Sequence, residues 1–210
     1  MEKMKELSCG RFVHALGSAT PTPGGGGAAA LVGALGVALG DMAACFTVGK
    51  KKYAEVDEEM RSLNEECRRL EDRLLALIDG DAEAFAPLSK AYGMPSGTDE
   101  EKAEKARVME KYLRDAAEVP LEVMRLAGRG IEIMRVLADK GSALMVSDTG
   151  CGAVCCRAAL ECSVLNVFIN TRFMKDREYA ERINEEATML SAKYLPMAKD
   201  IYRDVFYKCR

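Results

Sequence analysis

The sequence predicts an all-α fold. It reads as one domain, residues 1–210, built as a bundle of about six antiparallel helices with a central, buried Gly/Ala-rich helix. Three observations carry this. Apolar residues recur at steps of three and four through most of the chain, the period of a helix packed along one side. Aromatic residues make up 6% and Trp is absent, so Ala, Gly, Leu and Met must fill the interior, which favours close-packed helices over a sandwich. No strand pattern competes with the helical ones in length or alternation, and short links place successive helices antiparallel.

Residues 2–16 are charged and amphipathic and predict a short first helix that Gly17 ends. Residues 18–27 predict a loop fixed by Pro21 and Pro23. The Gly/Ala helix follows to about Val48, with Gly49 as its stop. Gly26, Ala29, Gly33, Gly36, Gly40 and Ala44 give it a face almost without side chains, which lets a second helix approach closely. Residues 24–48 have the length of a membrane span. Their Gly and Ala content and the embedded Asp41 instead predict the central buried helix.

The third helix carries the seam Val56, Met60, Leu63, Cys67, Leu70, Leu74, Leu77. The next seam position is Asp81, followed by Ala84 and Leu88. A carboxyl on an apolar seam is costly unless paired or used. Asp81 therefore reads either as functional or as a cap where Gly80 and Pro87 break the helix. After the turn Tyr92–Gly97, Thr98 and Glu101 have capping-box spacing and open a fourth helix that runs to Lys140–Gly141 with a kink at Pro120. Ser147 or Asp148 caps a fifth helix reaching about Met174. One side of it, Leu160, Val164 and Val167, is core. The other reads Asp148, Gly152, Cys155, Ala159, Ser163, Asn166, Asn170, small or polar throughout. Asn166 and Asn170, one turn apart, either hydrogen-bond a neighbouring helix or wall a polar pocket. The last helix spans about Arg177–Tyr207, with Ile183, Ala187, Leu190, Tyr194, Met197, Ile201 and Val205 as its stripe.

Composition removes several classes of function. A net charge of −3 leaves no electrostatic footprint for nucleic acid, and Lys50–Lys52 reads as a solvated helix end. No signal peptide is read at the start of the chain, so the eight Cys imply reduced thiols and a cytoplasmic location. No CxxC pair occurs and His14 is the single His, which argues against a zinc site, a metal cofactor or a His-dependent triad. Acid–base chemistry falls to Asp, Glu, Lys, Tyr or Cys. The run Pro21–Gly27 ("PTPGGGG") opens a helix whose first amides are unpaired and partly positive, and bare glycines let an anionic or carbonyl-rich ligand reach them. The P-loop and dinucleotide-binding spacings are not met.

The blocks "SATPTPGGGGAAALVGALGVALGDMAA", "VGKKKYAEVDEEM", "DGDAEAF", "GSALMVSDTG" and "NVFINTRFMKD" occur in one order over nearly the whole chain. In this the sequence resembles the cyclodeaminase/cyclohydrolase family, related to the C-terminal domain of formimidoyltransferase-cyclodeaminase. The resemblance implies an all-helical homodimer acting on one-carbon tetrahydrofolates. Some members convert 5-formimidoyltetrahydrofolate to 5,10-methenyltetrahydrofolate with loss of ammonia; others hydrolyse the methenyl form to 10-formyltetrahydrofolate. It implies a folate substrate and no further cofactor, nucleic acid or membrane. Asp148 is assigned proton transfer and Asp81 the partner role. Pro23, Gly24, Gly25, Gly26 and Gly27 would meet polar parts of the folate, Asn166 and Asn170 its pteridine or amide groups, and Lys50 and Tyr53 the rim. The chain departs from the family pattern at Gly27, where Ser is usual, at Ser142, where Asn is usual, and at Ser163–Val164, where Gly-Ala is usual; the first two departures allow, as the alternative to either enzyme, a non-catalytic folate-binding helical module.

Overall fold

The computed structural model describes residues 3–210. Among them are six α-helices and no strand: α1 (Cys9–Leu16), α2 (Gly25–Cys45), α3 (Asp57–Tyr92), α4 (Asp99–Lys140), α5 (Val146–Thr171) and α6 (Arg177–Lys208). Short 3-10 turns precede α1, α3 and α5 at Met4–Glu6, Lys51–Val56 and Ala143–Met145. Residue 2, where the first helix was expected to begin, lies outside the described residues; the helical segment there is split between the first 3-10 turn and α1.

α2 is the centre of the bundle and packs against α3, α4 and α5. Its small residues make this possible. A Cβ added at Gly36 would stand 2.9 Å from the Cys156 backbone nitrogen and 3.0 Å from the Gly152 carbonyl oxygen of α5. Those atoms are backbone and cannot swing aside, so the two helices meet at a distance only glycine allows. The same pairing sets the direction. Gly36 faces Gly152 and Cys156, Gly33 faces Ala159, and Gly25 lies by Asn166, so α5 runs antiparallel to α2. Gly33 also touches Leu74 and Gly27 approaches Ile78, so α3 is antiparallel to α2 as well.

The α3 seam is Met60, Leu63, Cys67, Leu70, Leu74 and Ile78, all buried. Ile78 takes the place expected of Leu77, because a seam with 3.6 residues per turn drifts from the alternating count. α3 passes through Gly80 and Pro87 without a break, contrary to the expected interruption. Thr98 and Glu101 form the capping box of α4, and the Asp176 side chain caps α6 by accepting from the Tyr179 amide at 3.0 Å. α5 corrects two expectations. It starts at Val146, directly after the 3-10 turn, so neither Ser147 nor Asp148 is its cap, and it stops at Thr171. Leu160, Val167, Ile183, Met124, Ile131 and Met134 join α2 and α3 residues in the main core. A smaller core of Leu88, Leu113, Ala116, Ala117, Met174 and Ala180 closes the bundle end where α3 and α5 finish.

Candidate functional site

α2 begins on bare backbone. Gly24 precedes its first turn and supplies no side-chain cap. The glycines predicted to be loop, Gly25 to Gly27, are its first helical residues, and the Thr22–Pro23 peptide bond before them is cis. The cap comes from another helix. Asp81, on α3, accepts the Gly27 N–H at 2.9 Å through Oδ2. A carboxylate at a helix N-terminus is favoured both by the free amide and by the helix dipole. Gly26 must be glycine for Asp81 to reach this place, since a Cβ there would collide with Asp81 Oδ1 and stand 2.6 Å from Cγ. Among the described residues, the amides of Gly25 and Gly26 donate no hydrogen bond. The Gly25 amide is the one open to a ligand, because Gly25 is on the surface while Gly26 is buried beneath Asp81.

Asp81 therefore is a cap, but of α2 and not of its own helix. Burial pushes its carboxyl above the ordinary carboxylate range, and the Gly27 amide opposes part of that rise. Asn166 of α5 completes this end. Its side-chain amide lies against Gly25, 3.4 Å from the position of an added Cβ. Asn166 Nδ2 donates to the Cys162 carbonyl at 2.8 Å, one turn back. Asn170 is used differently: its Nδ2 donates to the Asn166 carbonyl at 2.8 Å and to the Ala116 carbonyl of α4 at 3.0 Å. Its amide donors thus join helices, while Asn166 faces the glycines. A cavity of about 250 Å³ lies behind this end, lined by Met4, Thr22, Asp79 and Ala82.

Asp148, Lys50 and Tyr53 are at the other end of the bundle. Asp148 and Asn166 are eighteen residues apart on one straight run of helix, about 27 Å at 1.5 Å per residue. Within one chain Asp148 and Asp81 are not neighbours. The Tyr53 hydroxyl accepts the Ala143 N–H at 3.0 Å, and the Ser142 N–H donates to Thr47 Oγ1 at 2.8 Å. These two bonds tie the segment before α3 to the turn before α5. The Ala143 amide holds the Tyr53 phenol below its ordinary pKa, with smaller contributions from Ser142 and Lys52. Lys50 is exposed beside it. A cavity of about 300 Å³ adjoins this turn, lined by Gly141, Ser142, Ala143, Val146 and Lys208.

Sequence periodicity did not single out Glu71, on the flank of the α3 seam. Its Oε1 is buried without a hydrogen-bond partner. Burial, then Asp41 and Asp72, push its carboxyl up to about 7 against the pull of Arg68. Asp41, the embedded carboxylate of α2, accepts from Asn64 and pairs with Arg68 at 3.5 Å, which is a helix–helix partner role. Among the described residues no three His, Cys, Asp or Glu side chains form a group able to hold a metal.

What this arrangement can do is present a carboxyl with raised proton affinity, the exposed Gly25 amide and a neutral side-chain amide to a small polar ligand at a helix mouth. The sequence profile described as formiminotransferase-cyclodeaminase matches residues 8–189. The chain is 39% identical to a methenyltetrahydrofolate cyclohydrolase of Methylorubrum extorquens, over 92% of this chain and 93% of that one. It is 31% identical to the formimidoyltransferase-cyclodeaminase of Gallus gallus, over 86% of this chain, and spans 34% of that longer protein. Its fold matches the crystal structure of a formiminotetrahydrofolate cyclodeaminase from Thermotoga maritima with a TM-score of 0.84 and 30% identity, over 98% of this chain and 97% of that one. Fold and sequence together define a helical-bundle enzyme of folate one-carbon chemistry. The chain belongs to the formiminotransferase-cyclodeaminase family.

Proposed function

We propose that the protein cyclises 5-formimidoyltetrahydrofolate to 5,10-methenyltetrahydrofolate with loss of ammonia, and that the glycine end of α2 is where the one-carbon unit reacts. The observation that carries this is the Asp81 carboxyl, part-buried, raised in proton affinity and held at the helix mouth by the Gly27 amide. In the reaction N10 attacks the formimidoyl carbon and its proton passes to the imino nitrogen. The resulting amino group takes a second proton and leaves as ammonia, while a ring-nitrogen lone pair closes the methenyl C=N bond. The departing group needs an acid close to neutrality, and a carboxyl with raised proton affinity is suited to that. The sequence alone gave proton transfer to Asp148; the burial of Asp81 favours Asp81 for this step. The Gly25 amide and the Asn166 side chain then orient polar atoms of the folate, with Pro23 and Gly24 shaping the approach. The folate carries the one-carbon unit itself, so the reaction calls for no other cofactor.

A second reading, hydrolysis of the methenyl form to 10-formyltetrahydrofolate, is favoured by the identity to the M. extorquens cyclohydrolase. Both reactions pass through a tetrahedral carbon bonded to N5, N10 and one further heteroatom, so the same acid serves either.

The protein would act as a homodimer. Leu35 of α2, Phe46 directly after it, Leu144 in the turn before α5, and Leu165 and Ile169 of α5 are exposed large apolar side chains on adjoining elements. A two-fold pairing that runs α2 antiparallel to its copy sets the Asp81 end of one chain beside the Asp148, Lys50 and Tyr53 end of the other. This supports a site shared between subunits. α2 and the segment Ala143–Thr171 are long and apolar enough to cross a membrane; half of the α2 window is buried in the bundle and 39% of the other. That burial, the free thiols and the net charge of −3 support a cytoplasmic enzyme of small molecules, without nucleic acid or membrane.

The test supplies each folate separately and follows methenyl absorbance, with ammonia release as the second readout. Rising absorbance from the formimidoyl substrate supports cyclodeamination, and falling absorbance from the methenyl substrate supports hydrolysis. Asp81→Asn should lower kcat about 100- to 10,000-fold while unfolding stays cooperative. Near-normal turnover in that variant would remove Asp81 from the chemistry.

A further inference from the structure

Gly26 and Gly27 are adjacent helical residues with different reasons to lack a side chain. At Gly26 the reason is steric, since Asp81 occupies the place of a Cβ. At Gly27 no steric reason exists. A Cβ there would lie 3.6 Å from the Ile78 carbonyl, 3.7 Å from Asp81 Oδ2 and 3.8 Å from Pro23 Cβ, all ordinary contacts. Its φ is not positive, so the backbone does not require glycine either. Glycine inside a helix costs about 1 kcal/mol relative to Ala. What position 27 faces is the very oxygen of Asp81 that its amide already holds, at 2.9 Å.

We propose that Gly27 is a positioning residue that acts through Asp81: by offering one amide N–H and no side-chain donor, it leaves the carboxyl able to keep the proton it delivers. This rests on the cyclodeaminase reading and deepens it. A hydroxyl at position 27, one C–O bond beyond a Cβ 3.7 Å from Oδ2, comes within hydrogen-bond reach of that oxygen. A second donor favours the ionised carboxylate and weakens the acid. Within one chain, among the described residues, the Gly27 amide is the donor that meets this carboxyl; in the proposed dimer the Lys50, Tyr53 and Asp148 end of the second copy faces it as well, equally in Gly27→Ser and Gly27→Ala. From α2 Asp81 meets the Gly26 and Gly27 backbone, from α5 the neutral Asn166 lies beyond Gly25, and from the preceding loop comes Pro23. On its own helix Asp79 and Glu83 are the nearest titratable groups in sequence. Within one chain, burial and the Gly27 amide are the two influences on its proton affinity.

The proton balance is simple. The Asp81 carboxyl gives its proton to the amino nitrogen of the tetrahedral intermediate. The carbon–nitrogen bond to that group breaks with its electron pair leaving on ammonia, a ring-nitrogen lone pair forms the methenyl C=N bond, and the carboxylate regains a proton from water.

The test compares Gly27→Ser with Gly27→Ala, which adds the same Cβ without a donor. The direct readout is the 13C chemical shift of the Asp81 carboxyl in protein labelled at Asp, assigned by its loss in Asp81→Asn. The titration midpoint should fall by roughly one pH unit in Gly27→Ser and not fall in Gly27→Ala. The basic limb of the kcat profile should move down by the same amount in Gly27→Ser alone, with KM little changed. An unshifted midpoint in Gly27→Ser, or equal downward shifts in both variants, overturns the proposal. Failure of the wild-type protein to turn over either folate would refute the functional reading instead, and the titration still decides the role of Gly27.

Discussion

Ser163 is fully buried on α5, and its Oγ finds no hydrogen-bond partner. It stands on the face that meets α2, in a run of Gly152, Ala159 and Ser163 that are all buried. An unsatisfied hydroxyl in such a place costs about 1–3 kcal/mol. Ser163→Ala should therefore raise the midpoint of urea unfolding, by about 1 kcal/mol in stability, with the m-value unchanged. A loss of stability would mean that the hydroxyl is partnered. The sequence marked this residue as part of a small, polar side but could not tell a lining position from a packed one. Asp81 shows the same division. Counting along the seam finds it, because an apolar period is a local property. What it caps depends on a helix 54 residues earlier in the chain, and no local pattern holds that information. Asn170 was legible as a candidate for two roles, and the contact that decides, the Ala116 carbonyl, is again distant in sequence.

The groove between α2 and α3 holds the carboxyl pair Asp41 and Glu71 with Arg68 between their demands. Glu71 starts from an ordinary value of 4.5 and is pushed up to about 7, chiefly by burial. The folded state thus holds its proton more tightly than the unfolded chain. The sign follows from linkage: the contribution of protonated Glu71 is fully present below 4.5 and is lost as pH rises through about 7. Glu71→Gln imitates the protonated form. Thermal melts should show the variant more stable than wild type near pH 8, with the difference vanishing near pH 4. A gain of equal size at both pH values would place the effect elsewhere. Elements were the most legible scale here, since the seams of α3, α4 and α6 repeat for many turns. The misreadings are physical. Gly80 and Pro87 carry local breaking signals, yet α3 packs along α2 as far as Asp81 and beyond it buries Leu88 against Leu113 and Ala117 of α4, and it continues through both. The start of α5 was misplaced because the 3-10 turn Ala143–Met145 runs straight into it and needs no side-chain cap.

At the scale of the molecule, periodicity groups residues by angle around a helix, while their spacing at 1.5 Å per residue sets their height along it. Asp148 and Asn166 share one side of α5 yet stand about 27 Å apart along it, so a common side is not a common site; which elements meet each end is what the fold adds. A single chain has the carboxyl, glycines and Asn166 at one end, and Asp148, Lys50 and Tyr53 at the other. If both sets serve one reaction, each site takes one set from each subunit, and this has a consequence that mixing can read. Asp81→Asn and Asp148→Asn should each be inactive as homodimers. When the two are mixed and allowed to exchange subunits, a heterodimer holds one site with both substitutions and one with neither. Statistical exchange makes half of the dimers mixed, so activity should return to about a quarter of the wild-type value. Leu35→Glu, which places a charge on the exposed α2 face, should give a monomer by light scattering with helical content retained, and should abolish the regain when built into both partners. If each single variant is inactive and mixing restores nothing despite demonstrated exchange, both carboxylates act within one chain's site. Because Asp81 lies at the Gly25–Gly27 end with Asn166, and Asp148 stands about 27 Å along α5 from Asn166, that outcome would mean that one of the two carboxylates acts indirectly.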